Sequence, residues 1–236
     1  MKIVLIAVVV FFSFSVNAQN VNDLLNKVIN KNGAVLGKDD IANGLKEALN
    51  AGVKKGTQQL SATDGFFKNA AVKILMPPEA VKAEKTLRDM GLGKQVDDAI
   101  LSMNRAAEDA AKSAAPVFVN AIKQMSIQDA ANILKGNDTA ATSYLHAKTN
   151  DQLTIAFKPI IQQSLGKTDA TKYWNTVFSI YNKIPFVKKV NTDIYAYVTE
   201  RALTGIFYQV AQEEKNIRKN PVAQTTDLLK KVFGKN

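Results

Sequence analysis

Apolar residues recur with a helical period along most of the chain, and the longest such run is Val96 to Ala130. With Ile100 as origin and 100° per residue, Val96, Met103, Ala107, Ala111, Ala114, Phe118, Ala121, Ile122 and Met125 all lie within about 60° of it. This arc predicts a long helix with one face in a core. Asn104 falls about 40° from the centre of that face and Glu108 about 80°, where apolar residues are expected. A buried amide or carboxylate costs about 1–3 kcal/mol if unpaired, so both require partners. Arg105, near Glu108 on the flank of the helix, is a candidate. Pro116 removes one backbone hydrogen bond and predicts a kink between Lys112 and Pro116.

The same reading divides the rest of the chain into helices. A weak pattern over residues 19–35 gives an N-terminal arm or loosely held helix, ended by Asn32-Gly33. Asp39 or Asp40 can cap a helix running to about Leu60, along which Gly44, Ala48, Gly52 and Gly56 form one stripe suited to close approach by another helix. Periodicity fails from Ser61 to Pro78, where Asp64-Gly65 and Pro77-Pro78 punctuate an apolar segment. Phe66, Phe67, Ile74, Leu75 and Met76 argue for an ordered connection over the core that forms one wall of a cleft. A short helix from Pro78 to about Met90 ends at Gly91.

Further along, Ser126-x-x-Asp129 reads as a capping box for a helix closed by Gly136. Asp138 is expected to cap one helix and Thr149 another, the latter bent at Pro159. Trp174 sits among Tyr173, Val177, Phe178 and Tyr181, a buried helix rather than a binding platform. A long helix opens at Thr192 or Asp193 and stops before Asn220-Pro221; Glu213 and Glu214 straddle its apolar arc, so at least one is expected to be partly buried. A short terminal helix uses Leu228, Leu229, Val232 and Phe233. The expected fold is all-α: a compact bundle of about seven to nine helices forming a single domain over residues 36–236, with a long irregular loop near 61–78.

Composition changes this picture in three ways. Residues 1–18 have the layout of a secretory signal, with Lys2, an apolar stretch and Val16-Asn17-Ala18 as a cleavage site. The expected mature protein is therefore periplasmic or secreted, beginning near Gln19. Cysteine is absent, which removes disulfides, a lipidated first cysteine and thiol chemistry. Finally, 31 Lys and Arg against 21 Asp and Glu give a formal charge of +10. An anionic lipid or envelope polymer is the expected partner, with nucleic acid disfavoured because the chain leaves the cytoplasm.

The single histidine, His146, reads as a surface residue, and histidine-clustered metal sites are disfavoured. Neither a metal nor a cofactor is expected. Adjacent carboxylates at Asp97-Asp98, Glu108-Asp109 and Glu213-Glu214 diverge by about 100° on a helix and form no ready acid/base pair. The candidate site is therefore a polar cluster in which Asn104, Arg105 and Glu108 meet Glu213, Glu214 and Arg218 from the last long helix. It is either a structural network between packed helices or a ligand pocket.

Four stretches together carry a resemblance: GLKEALNAGV at 44–53, LSMNRAAEDAA at 101–111, AIKQMSIQDA at 121–130, and AYVTERALTGIFYQVAQEEKNIRKNP with LLKKVFG at the end. They resemble a family of exported Gram-negative proteins catalogued as domain of unknown function 4197, over roughly Leu36 to Gly234. The resemblance implies an all-helical envelope protein and transfers no activity to any residue. The functional expectation is a non-catalytic binding or assembly protein for an anionic or amphiphilic envelope ligand. The alternative is a carboxylate-dependent hydrolase of an envelope polymer, which requires two acids converging in a cleft.

Overall fold

The chain folds through a series of helices tied by short turns and one longer connection. The computed structural model describes residues 37–183, 185–186, 189, 193–220, 223 and 230. The expected signal segment at 1–18, the expected arm at 19–35 and the expected terminal helix with Leu228 to Phe233 lie outside the described residues. Among the described residues every regular element is helical: α1 (Lys38–Ser61), a 3-10 turn (Pro78–Ala80), α2 (Val81–Asp89), α3 (Gly93–Ala111), α4 (Ala114–Lys123), α5 (Ile127–Lys135), α6 (Ala140–Gly166), α7 (Ala170–Tyr181) and α8 (Ile194–Lys219).

Local chemistry accounts for most boundaries. Ser126 Oγ accepts from Asp129 N–H at 3.1 Å while Asp129 Oδ2 accepts from Ser126 N–H at 3.0 Å, the reciprocal box that opens α5. Asp193 opens α8 by accepting from Ala196 N–H at 3.0 Å. Gly91 takes a φ of 82° just past α2, a left-handed turn that a glycine adopts at little cost. At α1 the cap differs from the expected one: Gly37 occupies the N-cap, and Asp40 acts from inside the first turn by accepting Gly37 N–H at 3.0 Å.

The expected division into about seven to nine helices is off at two places. The anticipated kink between Lys112 and Pro116 is a two-residue interruption, with α3 ending at Ala111 and α4 beginning at Ala114 while Lys112 and Ser113 keep right-handed backbone angles. Proline offers no N–H to the carbonyl of Lys112, and Ser113 Oγ instead donates to Ala110 O at 2.7 Å. Conversely, Thr149 caps nothing. It is buried in the middle of α6, its hydroxyl donating to Leu145 O at 2.6 Å, so the two helices expected here are one continuous helix. Asp138 is not a cap either; it pairs with Lys219.

α8 packs along both α1 and α6, and α3 packs against α6 and α7. Their facing sides supply a core that includes Met103, Phe118, Leu145, Phe157, Ile161, Val198 and Ile206. Phe118 meets Phe207 edge to face with ring centroids 5.6 Å apart. The glycine stripe works as expected for two of its members. A Cβ on Gly52 would come within 3.3 Å of Ile217 Cδ1, and one on Gly56 within 3.3 Å of Gln209 Cγ, so α8 lies close against α1 there.

The connection after α1 passes through bends and turns over residues 62–77. Phe66, fully buried, inserts its ring against Gly205 of α8, where a Cβ would sit 2.5 Å from Phe66 Cε1. Gly205→Ala is therefore expected to destabilise the fold by about 1–3 kcal/mol, because displacing a packed ring costs more than the roughly 1 kcal/mol of helix propensity gained. Gly166→Ala, with nothing within 4 Å of its Cβ, should leave stability unchanged or slightly raised. Urea unfolding of the two variants checks the contrast.

Candidate functional site

The six residues of the expected polar cluster fall into separate assemblies, and no hydrogen bond or ion pair between the two sets is found among the described residues. Asn104, Arg105 and Glu108 on α3 hold the 62–77 connection. Asn104 Oδ1 accepts from Ile74 N–H at 2.8 Å, and its Nδ2 donates to Ile74 O at 2.8 Å and to Ile100 O at 2.7 Å. The side-chain amide thus pairs with the main chain of Ile74 as a neighbouring strand would. Glu108 Oε1 accepts from the N–H groups of Phe66 (3.1 Å) and Phe67 (3.2 Å), while Oε2 receives Arg105 Nη1 at 2.6 Å.

Arg105 also reaches Asp64 Oδ1 at 2.6 Å, and Lys68 binds the other oxygen of Asp64 at 2.8 Å. The Lys68 and Arg105 side chains bonded to Asp64 hold its carboxyl below the ordinary carboxylate range. A lowered folded-state value means that Asp64 adds stability above about pH 4, and that this contribution fades as pH falls through the folded value. Glu108 and Asp64 in turn raise the Arg105 guanidinium above its already high value. Each buried polar atom of Asn104 and Glu108 is accounted for by protein partners.

Glu213 and Glu214 serve different neighbours. Glu214 accepts from the N–H groups of Ala141 (2.9 Å) and Thr142 (2.8 Å) and from the Thr142 hydroxyl (2.8 Å), which satisfies free donors in the first turn of α6. This is why α6 starts without a local side-chain cap. Arg218 donates to Glu214 Oε1 at 2.9 and 3.0 Å and to Ile133 O, near the end of α5, at 3.0 Å. Glu213 pairs with the exposed Lys55 of α1 at 2.8 Å. The acids are placed as structural acceptors, and Glu108 does not converge with Glu213 or Glu214 on a shared cleft. Among the described residues no group of three or more acidic or histidine side chains is placed to hold a metal ion.

One open concave surface lies elsewhere, between residues 73–78 and the start of α8. This groove encloses about 630 Å³, within the range of small-molecule sites. Lys73, Lys189 and Arg201 line it beside Glu200, and none of the three cations is in an ion pair among the described residues. Tyr197 donates its hydroxyl to Leu75 O at 2.7 Å and fixes the connection to α8. Met76 and Trp174 stand in its wall and also in the wall of a second space, an apolar slot of about 60 Å³ backed by Leu87, Leu92, Val96 and Phe178.

Trp174 is buried as expected, 2% exposed, with its ring stacked on Tyr197 at 5.5 Å and edge-on to Phe178 at 4.6 Å. Its Nε1–H and the side-chain oxygen of Gln95, another residue of the slot, have no hydrogen-bond partner among the described residues. An unpaired buried donor or acceptor costs about 1–3 kcal/mol, and in this respect the slot differs from the saturated networks around Glu108 and Glu214. The sequence suggested the apolar connection as a cleft wall but assigned no site role to Lys73, Lys189, Tyr197 or Arg201; the signal available was the excess of basic over acidic residues. His146, on the surface, lines a different groove of about 520 Å³ with its ring 4.5 Å from that of Phe207.

The family described as protein of unknown function (DUF4197) matches residues 35–234, and the chain belongs to that family. No curated protein and no solved structure matches it.

The geometry of Glu108 separates charge from hydrogen bonding. Glu108→Gln keeps an acceptor for Phe66 and Phe67 and is expected to cost about 1–2 kcal/mol. Glu108→Leu leaves two backbone N–H groups and Arg105 without their buried partner and is expected to cost about 3–5 kcal/mol. Denaturant unfolding of the pair measures the difference; equal losses would contradict the assigned role.

Proposed function

We propose that this protein is an exported, non-catalytic binding protein of the cell envelope, and that the groove between residues 73–78 and α8 takes an anionic amphiphile. The observation that carries the reading is the union of three cations, Lys73, Lys189 and Arg201, none in an ion pair among the described residues, with the apolar wall made by Met76 and Trp174; Lys73 also lies 4.1 Å from the centre of the Phe67 ring. Such a surface suits a ligand with a negative head and an apolar body, since few placed charges orient the head while apolar contacts supply affinity.

Two further features support it. The chain carries a formal charge of +10, which draws anionic ligands and anionic surfaces at low ionic strength. The signal-like residues 1–18 argue for the periplasm or beyond, where lipids and charged polymers are the abundant anions. No described helix is long and apolar enough to cross a membrane. Asn104 of α3, bonded to Ile74, and Tyr197 of α8, bonded to Leu75 O, hold the groove's wall in place.

Native mass spectrometry of the full chain purified from its own cell envelope tests the reading. The wild type is expected to carry an anionic amphiphile, and the K73E/R201E double variant, with an unchanged thermal melt, is expected to lose it. A bare wild-type protein that takes up no anionic lipid on addition would contradict the proposal, as would an adduct undiminished in the double variant.

A further inference from the structure

We infer that the slot beneath Trp174 receives the end of a single acyl chain whose anionic head lies among Lys73, Lys189 and Arg201, an assignment that rests on the groove reading above and names its ligand as a single-chain carboxylate or phosphate amphiphile. The argument begins with the shared wall. Met76 and Trp174 belong to both the groove and the slot, so the two spaces are separated by side chains and not by a helix. Methionine is flexible and unbranched, which suits a neck that has to admit a chain.

The slot's own dimensions choose the occupant. The surface it offers is apolar, although Gln95 and Glu84, the latter paired with Arg88, also stand in its lining, and its volume is about 60 Å³. An apolar cavity of about 150 Å³ stays dry and takes a benzene ring, so this slot is too small for a ring or for two chains side by side. The end of one unbranched chain fits. An apolar surface also favours such an occupant, because the chain leaves water and gains contacts along the wall.

The wall is able to yield. Trp174 Nε1–H and the Gln95 side-chain oxygen are buried without hydrogen bonds among the described residues, so neither side chain is tethered by a polar contact. Elsewhere in the core, buried polar side chains such as Asn104 and Glu214 are held by three or more hydrogen bonds. The region under Trp174 is thus able to widen without breaking a polar network among the described residues. Trp174 is also the chain's only tryptophan, so its emission reports this site alone.

The experiment is a fluorescence titration of the full chain with octanoate, decanoate and dodecanoate below their micelle concentrations, with inorganic phosphate as the head-only control. Dodecanoate is expected to shift Trp174 emission saturably, affinity is expected to rise by up to about fourfold per added methylene, and phosphate is expected to give no shift. Dodecanoate brominated at its terminal carbon should quench Trp174 in the wild-type protein. Ala99→Leu, which narrows the slot from α3, should weaken dodecanoate binding at least tenfold. Affinity that does not change from octanoate to dodecanoate, or a terminal bromine that leaves Trp174 unquenched, would overturn the slot assignment. If that chain-insensitive binding is lost in K73E/R201E, the groove reading survives; equal chain-length-dependent binding by wild type and K73E/R201E would instead contradict the groove reading and retain the slot.

Discussion

A backbone that leaves a helix must still find partners for its buried N–H and C=O groups, and this protein meets the requirement with side chains from distant helices. Glu108 takes the amides of Phe66 and Phe67, Asn104 takes both polar groups of Ile74, and Glu214 takes the first amides of α6. With these acceptors present, an irregular segment can lie over an apolar core and press Phe66 against Gly205. Without them, the same segment would have to lift into water, and the groove would lose the wall formed by residues 73–78. The proposed groove thus depends on Asn104 and Tyr197, which fasten residues 74 and 75 to α3 and α8.

The sequence made the acceptors visible but not their donors. Asn104 and Glu108 stand out because they interrupt an apolar arc, and a buried polar residue on such an arc must have a partner. The expected partners were other side chains, Glu213 and Glu214, because helix periodicity speaks only of side-chain positions. The actual partners are main-chain amides of a segment with no periodicity, whose course over α3 leaves no trace in composition. The same limit explains Asp138 and Thr149: each has the residue type of an N-cap, yet Glu214 supplies the first turn of α6 from another helix, which frees Thr149 to sit within it.

The groove was harder still to read. Lys73, Lys189 and Arg201 come from three separate parts of the chain; Lys189 and Arg201 are exposed, and Lys73 is half-buried with its ammonium 4.1 Å from the centre of the Phe67 ring. Their significance arises only when the connection is fastened to α8 through Tyr197 and Leu75. Trp174 was legible as a buried aromatic, but a helical pattern carries no information about whether an indole N–H finds an acceptor. The Nε1–H, without a partner among the described residues, and the slot beside it are properties of packing between α2, α3, α7 and the connection.

The most direct test of the account is native-state hydrogen exchange measured by NMR at the amides of Phe66, Phe67 and Ile74. The account predicts protection close to that of core amides in α3 such as Met103, because these three N–H groups are bonded to buried side chains and open only when the connection detaches. Exchange at the rate of unprotected loop amides would show that Glu108 and Asn104 do not hold the connection, and would contradict the central claim.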